Sequence, residues 1–568
     1  VHSSHANSPE LAASPENPIQ SNNQGNPIQG LHNKELQMIT AIEIENFKGI
    51  STRQRIEFAP LTLIFGANSA GKSTIVHAMH YFREVLATGN GDVDEIQMTD
   101  CELRLGGFKN LIHKHDIDEQ NGQISIRVDV QSPPQFRKPV IHPEKVSECP
   151  TITEVFRFIR TVGIEISVGE HFQDPGYRSY IKPDFPVIVT FKLFLDGQVF
   201  LATEITDRLY EKNLLGSYAN MYFIDLAHPS LEMQGERTIM HCEFEKSDLR
   251  VEKYDEEEEH APFLIEDTLG ALPTHRSVTG LRSVTGLLER LMVDVIDHTS
   301  EILQKSCHLG PIREIPERGR RTSLKSNRRS WYRGQAAWQK LTEKDPKGFF
   351  MEEKYDGPRS WWILDLKYWI DAPFRLERIG VWTSHEGDWN GGYPKGAEQR
   401  DVEVILRDLR TDTLVSPSDV GVGISQFIPV LVAARDQSLP VAYIEQPELH
   451  LHPKQQAMLG DVFAAQTSRG ARWYVTPDGK DSQERTIFIE THSELLILRL
   501  LRLVRETNLG MANSKEISLS PLDLKVYYVG SYEDKGTVYE ELRINEEGEF
   551  IDNWPHGFFD ERIRELYG

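Results

Sequence analysis

LTLIFGANSAGKST, residues 61–74, decides how the rest of this chain is read. An apolar run reads as a strand and turns through glycine-rich residues. It then enters Ser73 to Leu86, where Ile75, Val76, Met79, Phe82 and Val85 recur at helical spacing. Gly66 to Ser73 fits GxxxxGK(S/T) in the strand-to-helix context that the pattern needs. Its backbone, through Gly66, Ala67, Asn68, Ser69, Ala70 and Gly71, can turn amides inward around a β-phosphate, and the following helix adds partial positive charge. Lys72 is placed to reach the β and γ oxygens, and Ser73, with Thr74 beside it, to offer a hydroxyl to Mg²⁺. ATP and Mg²⁺ are the expected ligands.

Upstream, TAIEIENF alternates apolar and polar residues, and Gly49 interrupts before RIEFAPLTLIFG. Downstream, ISIRVDV, TVGIEISV, VIVTFKLFL, VFLATEI and RTIMHCEF predict an antiparallel sheet inserted after the first helix, with a turn at Asp196-Gly197. Val284 to Leu303 has a helical pattern, preceded by a duplication of RSVTGL at 276–281 and 282–287 that is too short to make a repeat array. A second set of strands begins near Asp401.

The later segment carries three further elements. In VAYIEQPELHLHP, 441–453, an apolar strand ends in Glu445, where a Walker B carboxylate would hold the hydration shell of the metal. Asp419 to Gln426, DVGVGISQ, precedes an apolar helix, and its small residues and Ser425 offer a close backbone and a hydroxyl to an anion. Ile489-Glu-Thr-His492 ends another apolar strand.

Composition bounds what these elements serve. The 568 residues exceed the size at which one core stops growing, so two or more lobes are expected. No run approaches the roughly 18 to 20 apolar residues that cross a bilayer, and the chain reads as soluble, with no membrane partner. Residues 1–37 lack the apolar core of a secretory signal, so a disordered tail and a cytoplasmic address are expected. Cys101, Cys149, Cys242 and Cys307 show no zinc-site spacing and read as reduced, structural thiols. A net charge of -23 repels nucleic acid, so DNA or RNA contact must be local. The acidic run Asp255 to Glu259 reads as a solvated loop. Arg318 to Arg333, with Trp331 and Tyr332 interleaved, offers cations and rings for such a contact, and a solvated loop or protein-docking surface fits the same residues.

In order and spacing, DVGVGISQ resembles the signature motif of ABC-type ATPases, and His492 the switch histidine that senses a γ-phosphate. Together with the phosphate loop, Glu445, the opening IEIENFKG, the elements LGGFKNLIHKHD and HLGPIRE, and the ending NWPHGFFDERIREL, they resemble the AAA-type, ABC-like ATPases related to SMC, RecF and OLD proteins, a group frequent in bacterial antiphage defence. The resemblance implies an α/β P-loop NTPase head of ABC/SMC type, assembled from N- and C-terminal segments with an inserted β-rich and helical middle region. The expected divisions are 38–115 and 401–530 for the head, 116–400 for the insert and 531–568 for a family-specific extension. It also implies that Ser425 acts on nucleotide held by another subunit, so that heads self-associate around ATP.

In related ATPases the residue after the Walker B acid is commonly a glutamate that activates water; here Gln446 follows Glu445. Glutamine orients water but cannot accept its proton, so slow hydrolysis, or use of Glu448 as base, is expected. About 70 residues follow His492, too few for a Toprim nuclease domain of ordinary size. A nuclease or toxin effector is therefore expected on a separate chain. Two other classes fit the same motifs: a repair or chromosome-maintenance ATPase of RecF or SMC kind, and a nucleotide-dependent interaction module with little hydrolysis.

Overall fold

The computed structural model describes residues 38–89, 91, 105–115, 122–131, 159–169, 172–173, 180–181, 186–206, 219–225, 260–265, 294–316, 331–342, 366–382, 389–390, 393–394, 399–467, 485–511 and 517–554. The tail 1–37, Cys101, Cys149, Cys242, the strand RTIMHCEF, the acidic run, the RSVTGL duplication, Arg318 to Arg329 and most of the C-terminal NWPHGFFDERIREL lie outside the described residues.

The phosphate-loop strand Leu61–Gly66 sits inside a six-stranded sheet, in the order Cys307–Leu309, Val441–Glu445, Thr486–Glu490, Leu61–Gly66, Leu524–Tyr532, Gly536–Glu541. Neighbours run parallel up to Leu524–Tyr532, and the last strand folds back antiparallel. Parallel sheets need cover on both faces, which is why these strands are continuous apolar runs. Alternate side chains go to opposite cores: Ile64, Tyr443 and Phe488 to one, Leu63, Ile444 and Ile489 to the other.

The first core joins the sheet to the helices Thr74–Thr88 and Val295–Gln304 and then to an eight-stranded antiparallel sheet. The second lies under the helices Val422–Arg435, Pro453–Ala464 and Glu494–Asn508. The antiparallel sheet runs in the order His260–Ile265, Ala219–Asp225, Gln198–Thr206, Val187–Leu195, Thr161–Gly169, Gln123–Gln131, Ile39–Glu45, Gln54–Glu57. Asp196 and Gly197 make the expected hairpin turn, with φ of 46° and 85°, the left-handed pair that matches strand twist.

The segment 116–400, expected as an insert, supplies strands to both sheets. Gln123–Gln131 pairs with Ile39–Glu45, and Cys307–Leu309 pairs with Val441–Glu445. The hairpin formed by Leu524–Tyr532 and Gly536–Glu541, reaching into the expected extension, completes the parallel sheet beside the phosphate loop. Cys307 is a buried free thiol, pushed up to about 12 by burial, consistent with a structural role.

Candidate nucleotide-binding site

The loop after Leu61–Gly66 is held open by backbone that glycine alone tolerates. Gly66 has φ 155°, and a Cβ there would lie 2.3 Å from the Val529 carbonyl; at Gly71, φ 98°, it would lie 2.5 Å from Thr537 Oγ1. Ala67, Asn68 and Ser69 are exposed at the tip, with Ser69 also left-handed at φ 62°. Lys72 is buried and donates to the carbonyls of Gly66 (3.3 Å) and Ala67 (2.9 Å), its amine lowered by burial against the pull of Glu490 and Glu448. Thr74 opens the following helix and is buried beneath the loop.

The C-terminal hairpin backs this loop. Thr537 Oγ1 donates to the Ala70 carbonyl at 3.0 Å, and the Tyr539 hydroxyl to that of Gly71 at 2.7 Å. Thr537 N also donates to Gly49 at 2.7 Å, tying the loop to the turn after IEIENFKG.

Ser73 Oγ donates to Glu490 at 2.9 Å, whereas the expected metal-side acid, Glu445, pairs with His308 Nε2 at 2.7 Å. Glu445 and Glu490 are register partners at the ends of adjacent strands, so their carboxylates lie side by side. Burial and the charge of Glu445 raise Glu490, outweighing Ser73 and Lys72. His308 continues to His80 Nε2 at 3.1 Å, and burial keeps His80 neutral.

Gln446 follows with φ 43°, its amide donating to the Glu490 carbonyl at 2.7 Å. Arg313 braces this bend: Nη2 donates to the carbonyls of Glu445 (2.5 Å) and Gln446 (3.3 Å), while its own amide donates to Gln426 Oε1 at 3.0 Å on the helix Val422–Arg435. Arg313 thus faces the core and ties two motifs together.

Two expected roles change in this geometry. Glu448, expected as an alternative base, accepts from Thr491 Oγ1 (2.9 Å) and from the His492 amide (2.7 Å) and is buried, so its contacts are those of a brace for the His492 turn. Ser425 is only 1% exposed and its hydroxyl donates inward to Pro417 O at 2.5 Å, because it lies past the first turn of its helix; the exposed residues of that motif are Asp419, Gly421 and Val422, the last two at the helix N-terminus. His492 is half-buried and lowered by burial and by Lys72, hence neutral near pH 7.

Glu490 and His308 lie within Ile489-Glu-Thr-His492 and HLGPIRE, elements in which motif reading assigned them no individual role, and the contacts of Thr537 and Tyr539 with the loop were missed altogether. One signal for Glu490 was present: VAYIE and TIFIE share the ending Ile-Glu.

Family models match along the same segments: one described as an AAA ATPase domain over residues 38–153, and one described as an AAA domain, putative AbiEii toxin, type IV TA system, over 328–499. The chain carries AAA-type ATPase domains. A third match, to a protein family of unknown function over 519–567, spans the hairpin that backs the phosphate loop of the ATPase domain. The fold class is α/β, a parallel sheet carrying a phosphate loop of the P-loop NTPase kind. No curated protein matches the chain.

Among solved structures, an SMC head bound to the C-winged helix domain of ScpA matches at TM-score 0.34 and 10% identity, covering 89% of this chain and 98% of that one. An SMC head with an extended coiled coil, bound to the C-terminal domain of ScpA and derived from Pyrococcus furiosus, matches at 0.32 and 10%, covering 94% and 99%. The SMC head domain from Thermotoga maritima matches at 0.29 and 8%, covering 89% and 99%. At these TM-scores the likeness carries no argument, and the description of the ATPase domain rests on its own strand order and loop.

Proposed function

We propose that the chain binds and slowly hydrolyses ATP to ADP and phosphate, and that heads associate around the nucleotide to drive a separate effector. The observation that carries this reading is the GANSAGKS loop, curled around Lys72 at the end of a parallel strand and facing two acid-ended strands. Lys72 and the loop amides would bind the phosphates, and His492, held by Glu448, would sense the γ-phosphate. The oxygen donors Ser73 and Glu445 suit Mg²⁺, which when bound would neutralise charge on the phosphates. Gln446 would orient water; standing directly after Glu445, it cannot take the proton of that water as a glutamate there would. With Ser425 turned inward, the γ-phosphate of an opposing head would meet the backbone of Gly421 and Val422 at the helix N-terminus.

The match described as a putative AbiEii toxin of a type IV TA system supports a role in defence, and the proposed effector is a nuclease or toxin on a separate chain in the cytoplasm. Among the described residues no helix is long and apolar enough to cross a membrane. A repair ATPase of RecF or SMC kind is the alternative, with Arg318 to Arg333 as its nucleic-acid contact through cations rather than the expected rings, since Trp331 is buried in the second core and Tyr332 packs against His308. Gln446 favours a second reading, a nucleotide-dependent interaction module that scarcely turns over.

ATP hydrolysis and light-scattering mass, measured for wild type and Lys72→Ala with and without ATP and DNA, test these readings. Turnover lost in Lys72→Ala is expected for the ATPase, and stimulation by DNA would favour the repair class. ATP-dependent assembly without turnover would select the interaction module, while neither turnover nor assembly would remove the proposal.

A further inference from the structure

Ser73 and the two strand-end acids present a choice that the motif pattern does not resolve. Glu445 occupies the Walker B position, yet its carboxylate is engaged by His308 at 2.7 Å, and its carbonyl by Arg313. Glu490 is the acid that meets the phosphate loop: Oε2 accepts from Ser73 Oγ at 2.9 Å, and Oε1 lies 3.9 Å from Lys72 Nζ. It reaches them because Thr486–Glu490 pairs directly with Leu61–Gly66, whereas Val441–Glu445 is one strand further away.

We propose that Glu490 is a second carboxylate of the magnesium site, working with Ser73 at the loop, while His308 positions Glu445 beside it. This deepens the nucleotide reading and rests on it. Magnesium is usually held by one or two carboxylates plus phosphates and water, and a hydroxyl with two acids meets that need. Two carboxylates placed side by side repel each other and would repel a phosphate; a divalent cation between acids and phosphates turns both repulsions into attraction. Glu490 therefore opposes metal-free nucleotide and favours the magnesium complex, an opposition of signs that a merely structural residue would not produce.

The test is equilibrium binding of a fluorescent ADP analogue to the full chain, titrated with Mg²⁺ or measured in EDTA, for wild type, Glu490→Gln and Glu490→Asp. Expected for Glu490→Gln is a rise of at least about tenfold in the Mg²⁺ concentration giving half-maximal binding, with affinity in EDTA equal to or tighter than wild type. Glu490→Asp, which keeps the charge and shortens the reach, should shift the Mg²⁺ requirement less, and it carries the test alone if the glutamine variant does not fold. An unchanged Mg²⁺ requirement in both variants, or equal weakening with and without Mg²⁺, overturns the role of Glu490 while leaving nucleotide binding standing. A wild type that binds no analogue under either condition overturns the nucleotide reading itself, and the role of Glu490 with it.

Discussion

Glu165 in the antiparallel sheet and Glu490 in the parallel sheet are both buried carboxylates on adjacent-strand ladders, and their surroundings treat them in opposite ways. Glu165, 1% exposed, accepts from Arg53 at 2.8 Å and Lys192 at 2.9 Å. Burial pushes it up, but these two cations outweigh burial and hold it below its ordinary 4.5. Around it Arg55, Arg127 and Asp129 continue a paired ladder across neighbouring strands. Glu490 and Glu448 are instead raised, burial being the largest cause in each. One sheet neutralises its buried charge internally and serves as scaffold; the other leaves negative charge only partly compensated, by Lys72 and Ser73, where a divalent cation would sit between acids and phosphates.

Substitutions at the site should give the largest effects and break that comparison first. Gln446→Glu supplies the missing proton acceptor and should raise turnover by about 10²-fold. Glu448→Gln should lower turnover by loosening the His492 turn, while raising the stability of the nucleotide-free protein at pH 7, since a carboxyl with a raised value is costly when ionised. Steady-state rates and thermal melts read both, and rates unchanged in both variants would remove these assignments.

In the scaffold sheet the sign reverses. Glu165→Gln should destabilise the protein by roughly 2 kcal/mol at pH 7, reduced from a fully buried pair because Arg53 and Lys192 are partly exposed, with nucleotide affinity unaltered. Because Glu165 is lowered in the folded state, its contribution is present above 4.5 and is lost as pH falls further, so the gap to wild type should close in acid. A gap that widens in acid melts would contradict the pairing.

The smallest effect sharpens where the site ends. Tyr539→Phe removes one hydroxyl from the Gly71 carbonyl and should weaken nucleotide binding only about threefold, with little change in stability. No change at all would place the C-terminal hairpin outside the site.

Much of this was legible locally. The phosphate loop is a contiguous motif whose glycines and lysine act within a few residues, and the strands Val441–Glu445 and Thr486–Glu490 fell where their continuous apolar runs indicated. The Asp-Gly hairpin was equally readable, since two left-handed residues in a row select those types. Less legible was 116–400: antiparallel strands announce their own pattern but not their partners, so Gln123–Gln131 read as an insert although it pairs with Ile39–Glu45.

The sequence by itself determined that a phosphate loop exists, that two strands end in acids, and that Gln446 stands where a base would serve. Only the tertiary structure decided that Ser73 meets Glu490 instead of Glu445, that His308 and Arg313 hold the turn at Glu445 and Gln446, and that Ser425 points inward. The reason is physical: a motif fixes chemistry over one turn of chain, whereas strand order and register across residues 61 to 490 are set by which apolar faces share a core.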